Sequence, residues 1–169
     1  MRKASFLFCR VLFTKFGVDP AAGRAIDVGG ADRIVYLKKK MPNPLLECSP
    51  DLDFFDNGFL GSDNRDFLNE DDVAPLEGKY NIVYSFDTLE HVKDPWLFYK
   101  NMVRVSKKGG HIFIAAPFRR PYHPSPGDYW RFTPEGLKLL FEKMDNVKVL
   151  AAEWDIDLVG SVLLVRRTE

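Results

Sequence analysis

Strand-like and helix-like stretches take turns along this chain, and that alternation limits its fold more than any other feature. Residues 24–28 read as a short buried strand and residues 32–41 as a helix that Pro42 and Pro44 stop. Residues 45–48 read as a second strand, and a third is sketched near residues 59–62. Residues 80–85 (YNIVYS) are apolar, β-branched and aromatic, the composition of a buried strand. Asp94 and Pro95 then open a helix: Asp offers its carboxylate to a free backbone N–H, and Pro sits where no N–H is needed. Lys107 and Lys108 suit the negative end of that helix, and Gly109 and Gly110 are expected to end it. A strand follows over 111–117, and Thr133 with Pro134 repeats the cap and opens a helix to about Met144. Residues 147–154 and 158–166 read as two last strands joined by a short acidic turn. The expected fold is α/β: a Rossmann-like three-layer sandwich around a mostly parallel, seven-stranded sheet with a C-terminal antiparallel hairpin.

The 169 residues suit one main domain over 19–169, preceded by an N-terminal amphipathic helix over 1–18. That first segment is basic and places Phe6, Cys9, Leu12, Phe13 and Phe16 near one helical face. The stripe packs on the domain in the favoured reading; weak contact with a membrane surface is the alternative. The 24 basic and 24 acidic residues cancel, which counts against a nucleic-acid partner. Two cysteines without a CxxC pair fit a reducing cytoplasm. His91, His111 and His123 lack metal-ligand spacing along the chain, so no metal is expected. Oligomeric state is not readable from these features.

Four stretches carry candidate chemistry. In "AIDVGGA", a strand runs into Gly29 and Gly30, a turn that would lie beyond the carboxyl end of the sheet. A dinucleotide site wants G-x-G-x-x-G, but Ala31 and Ile34 occupy the second and third glycine positions. The Cβ of Ala31 stands where a backbone must approach pyrophosphate, which disfavours a nicotinamide oxidoreductase. Asp27 repels phosphate and welcomes an ammonium group. The same residues would also serve a plain tight turn with Asp27 capping the next helix. Glu47 lies twenty positions after Asp27, where an acid can accept hydrogen bonds from ribose hydroxyls; a solvated loop acid is the alternative.

The third stretch is "YNIVYSFDTLEHVKDP", residues 80–95. With the Gly-Gly turn upstream and "VSKKGGHIFIAAP" downstream, it resembles the class I S-adenosylmethionine-dependent methyltransferases, in their small-molecule branch. The matching spans about residues 24–167, and Lys108 stands where the branch's K-P-G-G turn has proline. The resemblance implies S-adenosylmethionine as cofactor. It implies that Asp27, Gly29, Gly30 and Ala31 hold the methionine end and that Glu47 binds ribose. Asp66 and Phe67 fall near the adenine segment. Ser85, Phe86 and Asp87 would line the region of the sulfonium, with His91 at the entrance to the reaction site.

"PFRRPYHPSPGDYWRFTPEG", residues 117–136, leaves the strand over 111–117 and would overhang the cofactor. Prolines stiffen it, and it resembles the "H-x4-D-Y-[WY]-R-[FY]-T" segment of a subset of these enzymes. His123 is the candidate general base, with His91 second and Asp128 as the orienting acid. Tyr129 and Arg131 would meet substrate; as core filler and a salt-bridge partner they would be structural instead. The expected function is in-line methyl transfer to a small-molecule or glycan-type acceptor, in which alignment does most of the work. A catalytically inactive binding or scaffold protein of the same fold is the rival, and a nicotinamide oxidoreductase the weaker one.

Overall fold

The computed structural model describes residues 3–29, 48–49, 51–55, 65–124 and 127–169. Among them run six strands: β1 (Ala25–Val28), β2 (Leu52–Phe55), β3 (Tyr80–Phe86), β4 (Ser106–Pro117), β5 (Val147–Trp154) and β6 (Gly160–Arg167). The helices are α1 (Lys3–Phe16), the short α2 (Glu70–Val73), α3 (Pro95–Val105) and α4 (Pro134–Leu139). The strands form one sheet in the order β2-β1-β3-β4-β6-β5. The pairs β1–β2, β1–β3 and β3–β4 are parallel, and β6 runs antiparallel to both β4 and β5. This is the expected mostly parallel sheet with its C-terminal hairpin, with six strands described against seven expected. The predicted helix over 32–41 and the strand near 59–62 lie outside the described residues.

Period-two alternation divides the buried side chains between the two faces of the sheet. On one face Ile26, Val28, Val83, Ile112, Ile114, Leu163 and Val165 meet α3, α4 and the turn after α4 through Phe98, Met102, Leu137 and Phe141. On the other face Ala25, Ile82, Tyr84, Phe86, Phe113, Val162 and Leu164 meet α1 through Phe6, Cys9, Leu12 and Phe13. Phe13 stacks on Tyr84 at 6.0 Å and meets Phe113 edge-on at 6.2 Å. The apolar stripe of α1 is thus buried against the sheet, while Leu7 and Val11 on its opposite side are exposed. No helix among the described residues is long and apolar enough to cross a membrane.

Both cap predictions hold in atomic detail. Asp94 Oδ1 accepts from the Leu97 N–H at 3.0 Å and Thr133 Oγ1 from the Gly136 N–H at 3.1 Å. Two other expectations are corrected. The second strand is Leu52–Phe55, in register with β1 from Ala25 opposite Leu52 to Val28 opposite Phe55, and Cys48 is helical. Glu47 itself lies outside the described residues, but β2 reaches its tip seven residues later than the sequence pattern suggested. Nor do Gly109 and Gly110 end α3. Ser106 already leaves the helix in an extended conformation and pairs with Tyr80 as the start of β4. The two glycines lie inside β4, where the register against β3 jumps from Tyr80–Ser106 to Ile82–His111. At Gly110 a Cβ would come within 2.8–3.2 Å of three backbone carbonyl oxygens, so the irregularity needs glycine there. At the far edge β5 carries a similar register shift between Val149 and Ala151.

Candidate active site

The sheet order reverses between β1 and β3: from β1 the chain next lays β2 on one side and then β3 on the other. Open α/β sheets bind ligands beyond the carboxyl ends of their strands at such a switch point. Two turns face one another there. Gly29 leaves β1 with φ +74° and donates its N–H to the Phe55 carbonyl at 2.8 Å. Asp87 leaves β3 with φ +50°, uncommon for a residue with a side chain, and donates its N–H to the Ala115 carbonyl at 2.9 Å. The turns touch: a Cβ on Gly29 would fall 2.1 Å from Thr88 Cγ2. Glycine is required at position 29 both by its backbone and by its neighbour, and Thr88 is a site residue that the sequence did not single out.

Asp27 belongs to the same strand tip. Its carboxyl is buried, its Oδ1 has no hydrogen-bond partner, and burial pushes it up to about 7. The Ser85 hydroxyl, one strand across, is likewise buried without a partner. Alternation turns Ser85 to the opposite face of the sheet from Asp27. Buried polar groups in folded proteins are satisfied as a rule, so the Asp27 orphan beside the Gly29 turn marks a place for a polar ligand. Gly30 and Ala31 lie outside the described residues.

Other expected cofactor residues find different surroundings. Phe67 is fully buried between Phe55 and Phe98, with ring centroids 5.1 and 5.2 Å away, and so is core rather than a wall open to adenine. Asp66 is exposed and accepts the Leu68 N–H at 2.9 Å, holding a turn. The Phe86 ring packs between Tyr84 and Phe113 on the α1 face, leaving only its backbone at the strand tip.

Beyond β3 a single 3-10 turn, Leu89–His91, carries the second half of the site. Residues 117–124 and 127–133 fold down onto it. The Tyr129 N–H donates to the Glu90 carbonyl at 2.7 Å and the Trp130 indole N–H to the Val92 carbonyl at 2.8 Å. His91 Nδ1 bonds the Gly127 carbonyl, and His123 Nδ1 lies 2.9 Å from the Pro121 carbonyl. A carbonyl can only accept, so both rings carry hydrogen on Nδ1 and turn Nε2 the other way. Each Nε2 stands 3.6 Å from Glu90 Oε1. The rings meet edge to face with centroids 5.0 Å apart. Glu90 is fully buried, neither of its oxygens has a hydrogen-bond partner, and burial raises its carboxyl to about 7.

Asp128 and Arg131 brace this arrangement. Asp128 takes both Nη groups of Arg131 and accepts the His123 backbone N–H at 2.9 Å; its Oδ2 also lies 3.2 Å from His123 Nδ1. The Arg131 guanidinium holds the Asp128 carboxyl well below the ordinary carboxylate range. Arg131 also reaches the Trp130 carbonyl at 2.8 Å and the Arg120 carbonyl at 3.3 Å. Its donors are engaged within the chain, in the manner of the salt-bridge alternative. Tyr129 is about half exposed and lies across Gly127, where a Cβ would meet its ring at 2.2 Å.

The fold therefore brings His91, His123 and Asp128 together, as expected, and adds Glu90. It also sets together what histidine spacing along the chain left apart: Glu90, His91 and His123 offer three ligand atoms all within 4.8 Å of one another. Their proximity comes from the descent of residues 117–124 and 127–133, which no local spacing encodes. His111 stands apart, at the start of the regular part of β4 beside Arg166.

A family model described as a methyltransferase domain matches residues 2–141. The chain belongs to the methyltransferase-domain family. Solved structures share its fold at low sequence identity. A Listeria monocytogenes protein described as an S-adenosylmethionine dependent methyltransferase superposes with a TM-score of 0.64 at 9% identity, over 98% of this chain and 97% of that one. The 1,6-didemethyltoxoflavin-N1-methyltransferase of Burkholderia thailandensis, solved with 1,6-didemethyltoxoflavin and S-adenosylhomocysteine, gives 0.60 at 13% identity, over 99% and 79% of the two chains. A SAM dependent methyltransferase from Aquifex aeolicus gives 0.60 at 14% identity, over 94% and 89%.

Proposed function

We propose that this methyltransferase-family protein transfers a methyl group from S-adenosylmethionine to a small-molecule acceptor, glycan-type acceptors included. When bound, the sulfonium supplies an electrophilic methyl carbon with a neutral thioether as leaving group. The observation that carries the reading is the buried Asp27 carboxyl, whose Oδ1 has no hydrogen-bond partner, beside the Gly29 turn at the switch point. That pair suits the ammonium and backbone of a methionine end and offers nothing to a pyrophosphate. The backbone of Ser85, Phe86 and Asp87 would complete the contact along β3. Glu47, or the acid Asp56 that directly follows β2 in the chain, would take the ribose hydroxyls.

Such a transfer depends on holding nucleophile and methyl carbon in line. The basic centre formed by His123, His91 and Glu90 would receive the acceptor's polar end, with Asp128 orienting His123 and the Tyr129 ring as an aromatic wall. A reducing cytoplasm suits the buried Cys9 thiol, which burial raises well above its ordinary value and so keeps unreactive.

Calorimetric titration tests the reading directly, with S-adenosylmethionine and S-adenosylhomocysteine run beside NADH. Binding of S-adenosylhomocysteine at micromolar strength, with NADH silent, is the expected result. Silence from all three ligands would leave the scaffold reading in possession of the fold.

A further inference from the structure

We propose that Glu90, His91 and His123 form a binding site for one divalent first-row transition-metal ion of the zinc type. The geometry is that of ligands around a shared point. Glu90 Oε1 lies 3.6 Å from His91 Nε2 and 3.6 Å from His123 Nε2. These separations exceed a hydrogen bond, which spans about 2.7–3.2 Å between nitrogen and oxygen. They sit close to the edge, about 3.4 Å, of a tetrahedron whose ligands stand roughly 2.1 Å from a central zinc. The third edge is bounded by the 4.8 Å within which all three ligand atoms fall. A small contraction around an ion closes the set.

Three further features fit a metal better than a plain ion pair. First, the carboxylate is fully buried and neither oxygen makes a hydrogen bond. An ionised carboxylate in that position needs a strong partner, and a divalent cation is the strongest available. Second, both imidazoles give Nδ1–H to a backbone carbonyl, of Gly127 and of Pro121. That outer bond is the usual support of a metal-bound histidine: it fixes the tautomer and leaves the Nε2 lone pair aimed inward. Third, of the two guanidinium groups whose charge reaches Glu90, those of Arg120 and Arg131, the second is already neutralised by Asp128, which reduces the positive charge around the site. Two imidazoles and one carboxylate favour zinc, iron, cobalt or manganese over magnesium or calcium, which prefer oxygen throughout.

The site has an open side. His91 is nearly covered, but about a quarter of the His123 side chain is exposed, which leaves a route for a further ligand. Resting on the transferase reading, the inference narrows the acceptor to one bearing a hydroxyl or enol oxygen able to complete the shell. The ion would then orient that oxygen toward the switch point.

The experiment uses the full chain stripped with a chelator and titrated with cobalt(II) chloride as a spectroscopic stand-in for zinc. One equivalent of tight binding is expected, with the visible absorption of a four- or five-coordinate cobalt ion, and with zinc displacing it. Glu90→Gln, His91→Ala and His123→Ala should each weaken binding at least tenfold, the scale on which even supporting residues of metal sites act. His111→Ala should leave it unchanged. Circular dichroism screens the variants for folding. If one of them does not fold, X-ray absorption of the cobalt-loaded wild type still decides, because two imidazoles and one carboxylate must appear in the shell. Weak, multi-site or absent binding by the wild type would overturn the proposal, as would cobalt that survives loss of both histidines. Titration of the stripped protein with S-adenosylhomocysteine separates the two ideas. Cofactor-product binding without metal binding defeats only the metal site; metal binding without cofactor-product binding defeats only the transferase reading.

Discussion

Asp27 sets a pH dependence of definite sign. Its carboxyl is raised to about 7 by burial, against an ordinary value of 3.8. The folded chain therefore holds a proton there that the unfolded chain releases. The stability this group contributes is full below about pH 4 and is lost as pH rises through about 7, a change of roughly 4 kcal/mol if all of the shift is realised. Ligand binding runs the other way, because only the ionised carboxylate attracts an ammonium. Affinity for S-adenosylhomocysteine should fall about tenfold per pH unit below 7. Asp27→Asn should flatten that slope and weaken binding at pH 8, both read by calorimetry across pH. At the neighbouring turn, Gly29→Ala combines a left-handed backbone with a collision against Thr88. A loss of about 2 kcal/mol or more is expected, seen as a fall in Tm of roughly 5 °C or more, with cofactor-product binding abolished. The placement of Asp27 and Gly29 was legible from sequence because it is local to one strand and the turn that leaves it. Glu90 was not, although it stands beside His91 in the chain. Its significance depends on burial and on His123, 33 residues away, neither of which a linear pattern displays. Phe67 failed for the converse reason: an aromatic in a loop looks available until Phe55 and Phe98 close over it.

At the scale of elements, what could be read divides along the same line. The starts of α3 and α4 were legible because a cap is a bond between residues three apart. β2 was placed too early because residues 45–48 and 52–55 offer similar short apolar runs, and pairing with β1 chooses between them. The Lys-Lys-Gly-Gly run resembled a helix stop, yet the pairing of Ser106 with Tyr80 ends α3 first. α1 offers a direct test of where its apolar stripe is used. Phe13→Ala removes a buried ring that contacts Tyr84 and Phe113, and should cost about 3 kcal/mol or more in urea unfolding. Val11→Glu, on the exposed side, should stay within about 0.5 kcal/mol. If the helix instead served chiefly as a membrane-surface anchor, the second change would abolish vesicle binding while the first left stability untouched.

For the molecule as a whole, the decisive feature is that residues 117–124 and 127–133 are fastened to the body at several points. Phe118 and Arg119 donate to the Val159 carbonyl, Tyr129 and Trp130 to the turn after β3, and Ser161 to the Phe132 carbonyl. A segment held this way is a fixed wall of the site more than a swinging lid. Amide exchange at Tyr129 should accordingly be slow in the free protein, and S-adenosylhomocysteine should change it by less than about tenfold. A freely opening lid would show fast exchange that the ligand suppresses. The opposite end of the sheet has a consequence of its own. An outer strand with a regular ladder invites a foreign strand to extend it. In β5 the ladder falls out of step between Val149 and Ala151, so an incoming chain could match only three or four residues on either side before losing register. That flaw in regularity works as a safeguard: a protein produced at high concentration would resist growing end-on into fibrils from this margin.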